Sequence, residues 1–358
     1  MVRSGAVHGR RAERSRGIAR VPIPRCVNHR TRTAVDTGDD QRVSDDATGL
    51  RTDSPHEPFG SVLRHDVLVD APPRTVAGVL RDSAAAAEAL RRPGHRLTSP
   101  VRLLAEGDEV RVGVRLMPGL RIPVRTRITR VDACGMTSVL ARGPLRALAH
   151  VTTLTPSPIG TWVRDELRWT APFGPLGRLA DRVLLRRRML RVLTARAEVV
   201  TARAEQLAAA PAVVATALIR DGLLLIAQRM RPPALAGRWE LPGGRVEPGE
   251  GEAAAVVREC REELGTEISP DGRVGTDLPI DVGVLRVHRA RPVPDAPEPT
   301  ALEHAAVRWV GPAEVPVVDW VDADRALVAD LVRLLTDDDR RVLPYGSTSE
   351  FGGSHTEA

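Results

Sequence analysis

GRWELPGGRVEPGEGEAAAVVRECREELGTEI, residues 237–268, decides how the C-terminal part of this chain folds. Within it Glu259, Glu262 and Glu263 crowd together, directly after Arg258. Like charges at helical i,i+3 and i,i+4 spacing repel by roughly 0.2–0.5 kcal/mol per pair. A chain that keeps them either leaves the face solvated or places a cation there. Ala253, Val256, Val257, Cys260 and Leu264 form an i, i+3, i+4, i+7, i+11 stripe, the pattern of a helix with one buried face. On such a helix the three glutamates fall within about 100° of one another, away from that stripe. Gly265 supplies the helix stop. Gly243-Gly244, just upstream, permits a tight loop whose backbone oxygen faces the carboxylates. Hard carboxylate oxygens beside a backbone carbonyl suit Mg²⁺ or Mn²⁺ bridging substrate phosphates.

Upstream, VVATALIRDGLLLIAQR holds two apolar runs around Asp221-Gly222. That pair signals a hairpin, because a type I′ turn needs positive φ at both central positions. Gly244, Glu250, Arg258, Glu259, Glu262, Glu263 and Gly265 then fit the spacing G-x5-E-x7-R-E-U-x-E-E-x-G-U, where U is apolar. This segment resembles the Nudix box. Cys260 and Thr266 occupy two of its apolar positions, with Thr266 expected to loosen local packing slightly.

The resemblance implies an α/β/α Nudix sandwich around a mixed sheet over 210–340. It also implies hydrolysis of a nucleoside diphosphate linked to a further group, with water attacking phosphorus. By the same resemblance Arg258 holds a box glutamate, and the Gly243 carbonyl with Glu259, Glu262 and Glu263 binds the metal. Many relatives carry a further acid before the last strand. Here that loop reads EPTALEHAAVRWV and Ala306 sits where the acid aligns. Glu303 is a substitute base, and a box glutamate is the favoured one. GRWELPGGRVEPGE and EHAAVRWVGPAEVPVVDWVDADRAL look like the MutT branch, which converts nucleoside triphosphates, oxidised guanine and modified cytosine among them, to monophosphate and pyrophosphate. Arg229 matches that branch's substrate arginine and Asp324 its base-reading position. An ionised Asp324 only accepts hydrogen bonds, which favours cytosine or 8-oxo-dGTP over UTP and dTTP. Trp239, Trp309 and Trp320 are candidates to stack on the base.

Residues 59–209 carry a different pattern. SVLRHDVLVDAP alternates like a strand, two helical stretches follow, and then come alternating runs punctuated by Gly, Pro, Asp or Ser. TAPFGPLGRLADRVLLRRRMLRVL opens a long amphipathic helix. Strand, helices, antiparallel meander and closing helix resemble the helix-grip fold of the START/polyketide cyclase (SRPBCC) superfamily. That resemblance implies an α+β module with an apolar ligand. A two-module sensor, with the Nudix half as effector or as a non-catalytic nucleotide binder, is therefore the alternative to a plain hydrolase. Pro211 breaks the chain between the patterns, which predicts that 210–340 folds and works alone.

Residues 1–58 and 341–358 read as disordered polar tails. Arginine supplies all the positive charge, since lysine is absent, so the net charge of +6 reflects composition more than a nucleic-acid partner. No aromatic residue interleaves the basic N-terminal run, so no base-stacking platform and no nucleic acid are expected. No apolar run approaches the roughly 20 residues that span a bilayer. The three cysteines form no CxxC pair, so neither a zinc site nor a disulfide framework is expected, which suits the cytoplasm.

Overall fold

In the computed structural model, which describes residues 59–172 and 181–342, the chain begins with β1 (Ser61–Val69) and two short helices, α1 (Pro73–Arg81) and α2 (Ser83–Arg91). A meander follows: β2 (Arg96–Leu97), β3 (Glu109–Met117), β4 (Leu120–Asp132), β5 (Gly135–Arg142), β6 (Ala147–Ser157) and β7 (Gly160–Thr170). These strands form one seven-stranded sheet in the order β1-β7-β6-β5-β4-β3-β2. All its pairs are antiparallel, because each meander strand returns beside the one before and β1 closes on β7. The long helix α3 (Arg186–Ala208) lies over the sheet and buries Val199, Val200, Ala204 and Leu207 in a core shared with α1, α2, β4 and β7. This is the expected helix-grip order. The tail at 1–58 and nearly all of that at 341–358 lie outside the described residues. Cys134 is disulfide-bonded, against the expectation of no disulfide, and Cys260 is a free buried thiol.

The second half starts at β8 (Ala212–Arg220) and β9 (Leu223–Gln228). Asp221 and Gly222 between them have φ of 52° and 73°, the pair of positive values the turn requires. Then come β10 (Trp239–Glu240), α4 (Glu252–Leu264), β11 (Ile268–Ile280), β12 (Gly283–Pro292), β13 (Ala306–Val310) and α5 (Asp322–Val342). The sheet is mixed, since β12 runs parallel to β8 while its other pairs are antiparallel. Alternation along β8 explains the layers. Val214 and Leu218 meet Ala255, Val256, Cys260 and Leu264 of α4. Ala215, Ala217 and Ile219 face the other way, into the core that holds Ala326, Leu327, Leu331 and Leu335 of α5. One position differs from the sequence reading: Ala253 is exposed, and Ala255 takes its place in the buried stripe. Thr266 is buried with its hydroxyl donating to the Pro297 carbonyl at 2.7 Å, so the polar substitution leaves no unpaired group.

The two halves part at Pro211 along the chain but pack together in space. Val284 of β12 belongs to the core of the first half, and Leu103 packs against the core of the second. Thr75 on α1 donates to Asp277 at 2.9 Å, and Arg74 reaches the backbone oxygens of Arg273 and Gly275. A Cβ on Gly78 would lie 1.5 Å from the Asp277 oxygen, so α1 rests on the β11 backbone itself. The modules are therefore in direct contact, and a 210–340 fragment that is folded yet inactive would show that the first module contributes to the site. Gly78→Ala should force α1 off β11 and cost about 1–3 kcal/mol, as overpacking does. Thermal melting of the full chain measures it, and an unchanged melting temperature would show that this contact contributes nothing.

Candidate active site

The buried stripe of α4 turns its opposite side to the loop after β10, and this orientation puts the charged residues together. Arg258 is the hub. Its Nε and Nη2 grip both oxygens of Glu250 at 3.0 Å, and Nη1 reaches Glu259 at 2.9 Å and Glu262 at 3.2 Å. Nη2 also donates to the Arg245 carbonyl at 2.9 Å. All five guanidinium N–H groups are thereby used, two of them in a fork on one carboxylate. Lysine has neither the fork nor the reach, so Arg258→Lys should lower turnover at least about ten-fold, the scale of one charge-assisted bond of roughly 1.5–3 kcal/mol. Steady-state rates against a folded control would show this, and a wild-type rate would remove Arg258 from the machinery.

Glu259 and Glu263 face inward. Burial raises the Glu259 carboxyl, and the neighbouring Glu262 and Glu250 charges add to this against the pull of Arg258. Burial likewise pushes Glu263 up to about 7, although His304 and the Gly243 amide oppose it. That amide donates to Glu263 at 2.8 Å. A Cβ on Gly244 would meet the Glu259 carboxylate oxygen at 2.3 Å. That carboxylate could turn aside, but a Cβ on Gly243 would meet the Val214 backbone oxygen at 2.2 Å, which is the physical reason for glycine in this loop.

A second cluster lies beyond the loop. Arg229 bonds Glu240 through Nη1 and the Arg231 carbonyl through Nε at 2.9 Å. His304 Nε2 stands 3.3 Å from the other Glu240 oxygen. Asp324 is buried on the first turn of α5, and its one hydrogen bond comes from the Leu241 amide at 3.3 Å. Its Oδ1 is buried without a partner. Burial, and then the Glu240 charge, push its carboxyl up to about 8. A helix-capping aspartate would bond the amides of its own helix, so this one is not a cap.

Comparison with known proteins agrees with this layout. Residues 209–331 match the NUDIX domain family model, and residues 62–205 match the family described as polyketide cyclase / dehydrase and lipid transport. A Mycobacterium tuberculosis protein named putative 8-oxo-dGTP diphosphatase 2 is 50% identical over 127 residues, 34% of this chain and 89% of that protein. The chain belongs to the Nudix hydrolase family. An Escherichia coli protein named CTP pyrophosphohydrolase is 38% identical over 124 residues, 34% of this chain and 91% of its own. The solution structure of the E. coli ORF135 protein aligns with 36% identity and a TM-score of 0.31, over 35% of this chain and 89% of that one.

The Nudix box residues Arg258, Glu259, Glu262 and Glu263 come together as the spacing demands. Their arrangement is not yet a ligand cage. Among the described residues no three acids, histidines or cysteines are gathered to hold a metal, because Glu259 and Glu262 turn to Arg258. Gly243 joins the site through its N–H, which donates to Glu263 and leaves the carbonyl expected from sequence available to a metal. The donor set still fits a hard divalent cation: hard carboxylates crowd against a backbone that tolerates no Cβ. Glu259, Glu262 and Glu263 would hold it, and such an ion supplies charge neutralisation at the phosphates.

Arg229 and Asp324 also converge, around Glu240, which sequence reasoning missed. It missed His304 too. Glu303, offered as a substitute base, is exposed, whereas its neighbour His304 is buried. Burial disfavours the His304 cation, but Glu240 and Glu263 outweigh that and raise its pKa. Which residue of this loop faces inward depends on how it packs, and spacing alone does not show that. Of the stacking candidates, Trp320 is a core residue with Nε1 on the Val315 carbonyl at 2.8 Å, whereas Arg308 and Arg220 lie over Trp239 and Trp309 at 4.7 Å and 4.3 Å.

Proposed function

We propose that this Nudix hydrolase converts nucleoside triphosphates to monophosphate and pyrophosphate with Mg²⁺ or Mn²⁺, and that Asp324 reads the base. The buried, unpartnered Oδ1 of Asp324 carries the reading. A polar atom is seldom buried without a partner unless a ligand completes it. Glu259, Glu262 and Glu263 hold the cation, a box glutamate takes the proton from water, and Arg229 meets the nucleotide after leaving Glu240. Residues 59–209 and 210–340 are the two modules.

Protonation changes what Asp324 recognises. With a proton held at neutral pH it offers one donor and one acceptor, not two acceptors. Cytosine presents its N4 amine beside N3, which matches. Oxidation of guanine at C8 puts a hydrogen on N7 beside O6, which also matches; ordinary guanine shows two acceptors on that edge, so selection against it requires that Asp324 read the N7 edge and not N1–H with O6. Uracil offers N3–H beside O4, so the discrimination against UTP expected from an ionised aspartate no longer follows. The names of the two relatives fit this pair of bases. A panel of 8-oxo-dGTP, dGTP, CTP, dCTP and UTP with Mg²⁺ tests the proposal, with products resolved as monophosphate and pyrophosphate. No turnover of any member would sink it.

One feature supports the sensor reading beside it. A cavity of about 280 Å³ is lined by Pro93, Leu116, Met117 and Pro118 with His95, Arg115, Arg188 and Arg191. That lining suits an amphiphile with an anionic end better than a wholly apolar ligand. Native mass spectrometry of the full chain would reveal such a ligand, and a ligand-free mass with no shift on adding fatty acid would remove it. Among the described residues, no helix is long and apolar enough to cross a membrane.

A further inference from the structure

Asp324 is poorly anchored by its own contacts. Its one bond, from Leu241, is 3.3 Å long, at the weak end for N–H···O. The helix must therefore aim it. Just before it, the Val321 amide donates to the Trp239 carbonyl at 2.9 Å, which ties the start of α5 to β10. Just after it, Ala326 and Leu327 pack in the core of the second module, while the side-chain hydrogen bonds across this turn run to the first. Arg81, the last residue of α1, inserts into the second half with a side chain that is 0% exposed. Its Nη1 donates to the Ala326 carbonyl, and its Nη2 to Asp330 at 2.6 Å and to the Val131 carbonyl at 3.1 Å. Arg325 reaches back the other way, from Nη2 to the Leu103 carbonyl at 2.6 Å and from Nη1 to Asp108 at 3.3 Å.

A fully buried guanidinium is costly to desolvate, so evenly solvated modules would not need one here. Its planar fork spans a carbonyl and a carboxylate on successive turns of α5, which a lysine cannot do. Residues 324, 325 and 326 lie on one helical turn, about 1.5 Å of rise apart, and a turn moves as a unit. A tether at 325 and 326 thereby fixes 324. We propose that Arg81 and Arg325 are positioning residues through which the helix-grip module sets the base selectivity of the Nudix site, by holding the first turn of α5 and hence Asp324. This rests on Asp324 reading the base. It gives the first module a part in hydrolysis that requires no ligand in its cavity.

The test uses the full chain with Arg325→Gln, Arg81→Met, Asp324→Ala and the two double variants. Two quantities are read: the ratio of kcat/KM for 8-oxo-dGTP over dGTP, and amide hydrogen exchange across 322–326. Arg325→Gln should lower the ratio about three- to ten-fold, the scale of coupling carried through a packed element, with kcat for dGTP little changed. Exchange across 322–326 should quicken. In the Asp324→Ala background the same change should lower the ratio no further, because the effect passes through Asp324. Arg81→Met should act in the same direction. If it fails to fold, Arg325→Gln, at a partly exposed site, decides the matter. A folded Arg325→Gln variant with unchanged ratio and exchange overturns the proposal, as does an equal loss with and without Asp324. If Asp324→Ala itself keeps the ratio, base reading by Asp324 is wrong. The clamp is then judged by exchange alone, and unchanged exchange ends it as well.

Discussion

Glu263→Gln and Glu262→Gln are each expected to cut Mg²⁺-dependent turnover by two orders of magnitude or more while the fold persists. Glutamine keeps the shape and one oxygen but removes the charge that a divalent cation needs. Losing a group that stabilises developing charge costs roughly 10²–10³ in rate at comparable sites. Neither variant should disturb folding. Glu262 is half exposed and shares Arg258 with two other acids, so its neutralisation leaves the hub intact. Glu263 receives the Gly243 amide, and a glutamine oxygen still accepts that bond. Melting temperatures should therefore stay near wild type while rates fall. Near wild-type rates in both variants would show that the crowded face is merely solvated.

Base discrimination should depend on pH with one sign. Burial, reinforced by Glu240, holds a proton on Asp324 up to about pH 8, while the Leu241 amide and Arg229 pull weakly the other way. Below that pH the carboxyl donates and accepts, and 8-oxo-dGTP should be preferred to dGTP about ten-fold or more, the scale of one bidentate base contact. Above it the donor is lost and the preference should fall. Asp324→Asn retains a donor and an acceptor at every pH, so its preference should be flat. Asp324→Ala should show none.

Stability follows the same proton. The folded pKa lies above the unfolded value of 3.8, so the contribution is complete below the unfolded value and is lost as pH rises through about 8. Asp324→Asn should thus melt higher than wild type in alkaline buffer. A wild-type preference that is flat with pH, or an alanine variant that keeps it, would show that Asp324 does not touch the base.

Much of this was legible in the linear chain because the information is local. The Asp221-Gly222 turn depends on two residues' φ values, and the sequence names both. The order of strands in the first half follows from turns that join neighbours. The Arg258, Glu259, Glu262 and Glu263 constellation follows from 3.6 residues per turn, so spacing alone places it on one face. Glu250 arrives with it because the loop is short.

What spacing cannot supply is burial and contact across distant segments. Asp324 looked like an accepting carboxylate, and only packing beneath Leu241 and Glu240 gives it a proton. His304 and Glu303 are adjacent in sequence, and which one points inward depends on how the loop meets β10. Pro211 marked a break in the chain, yet Arg81 crosses it to bond a helix far along the sequence. Periodicity and turn chemistry act between near neighbours, so the two folds and the charged face of α4 are readable along the linear chain. Tertiary structure decided the protonation of Asp324, the choice of His304 over Glu303 and the union of the modules, because desolvation and hydrogen bonding act between whatever the fold brings together.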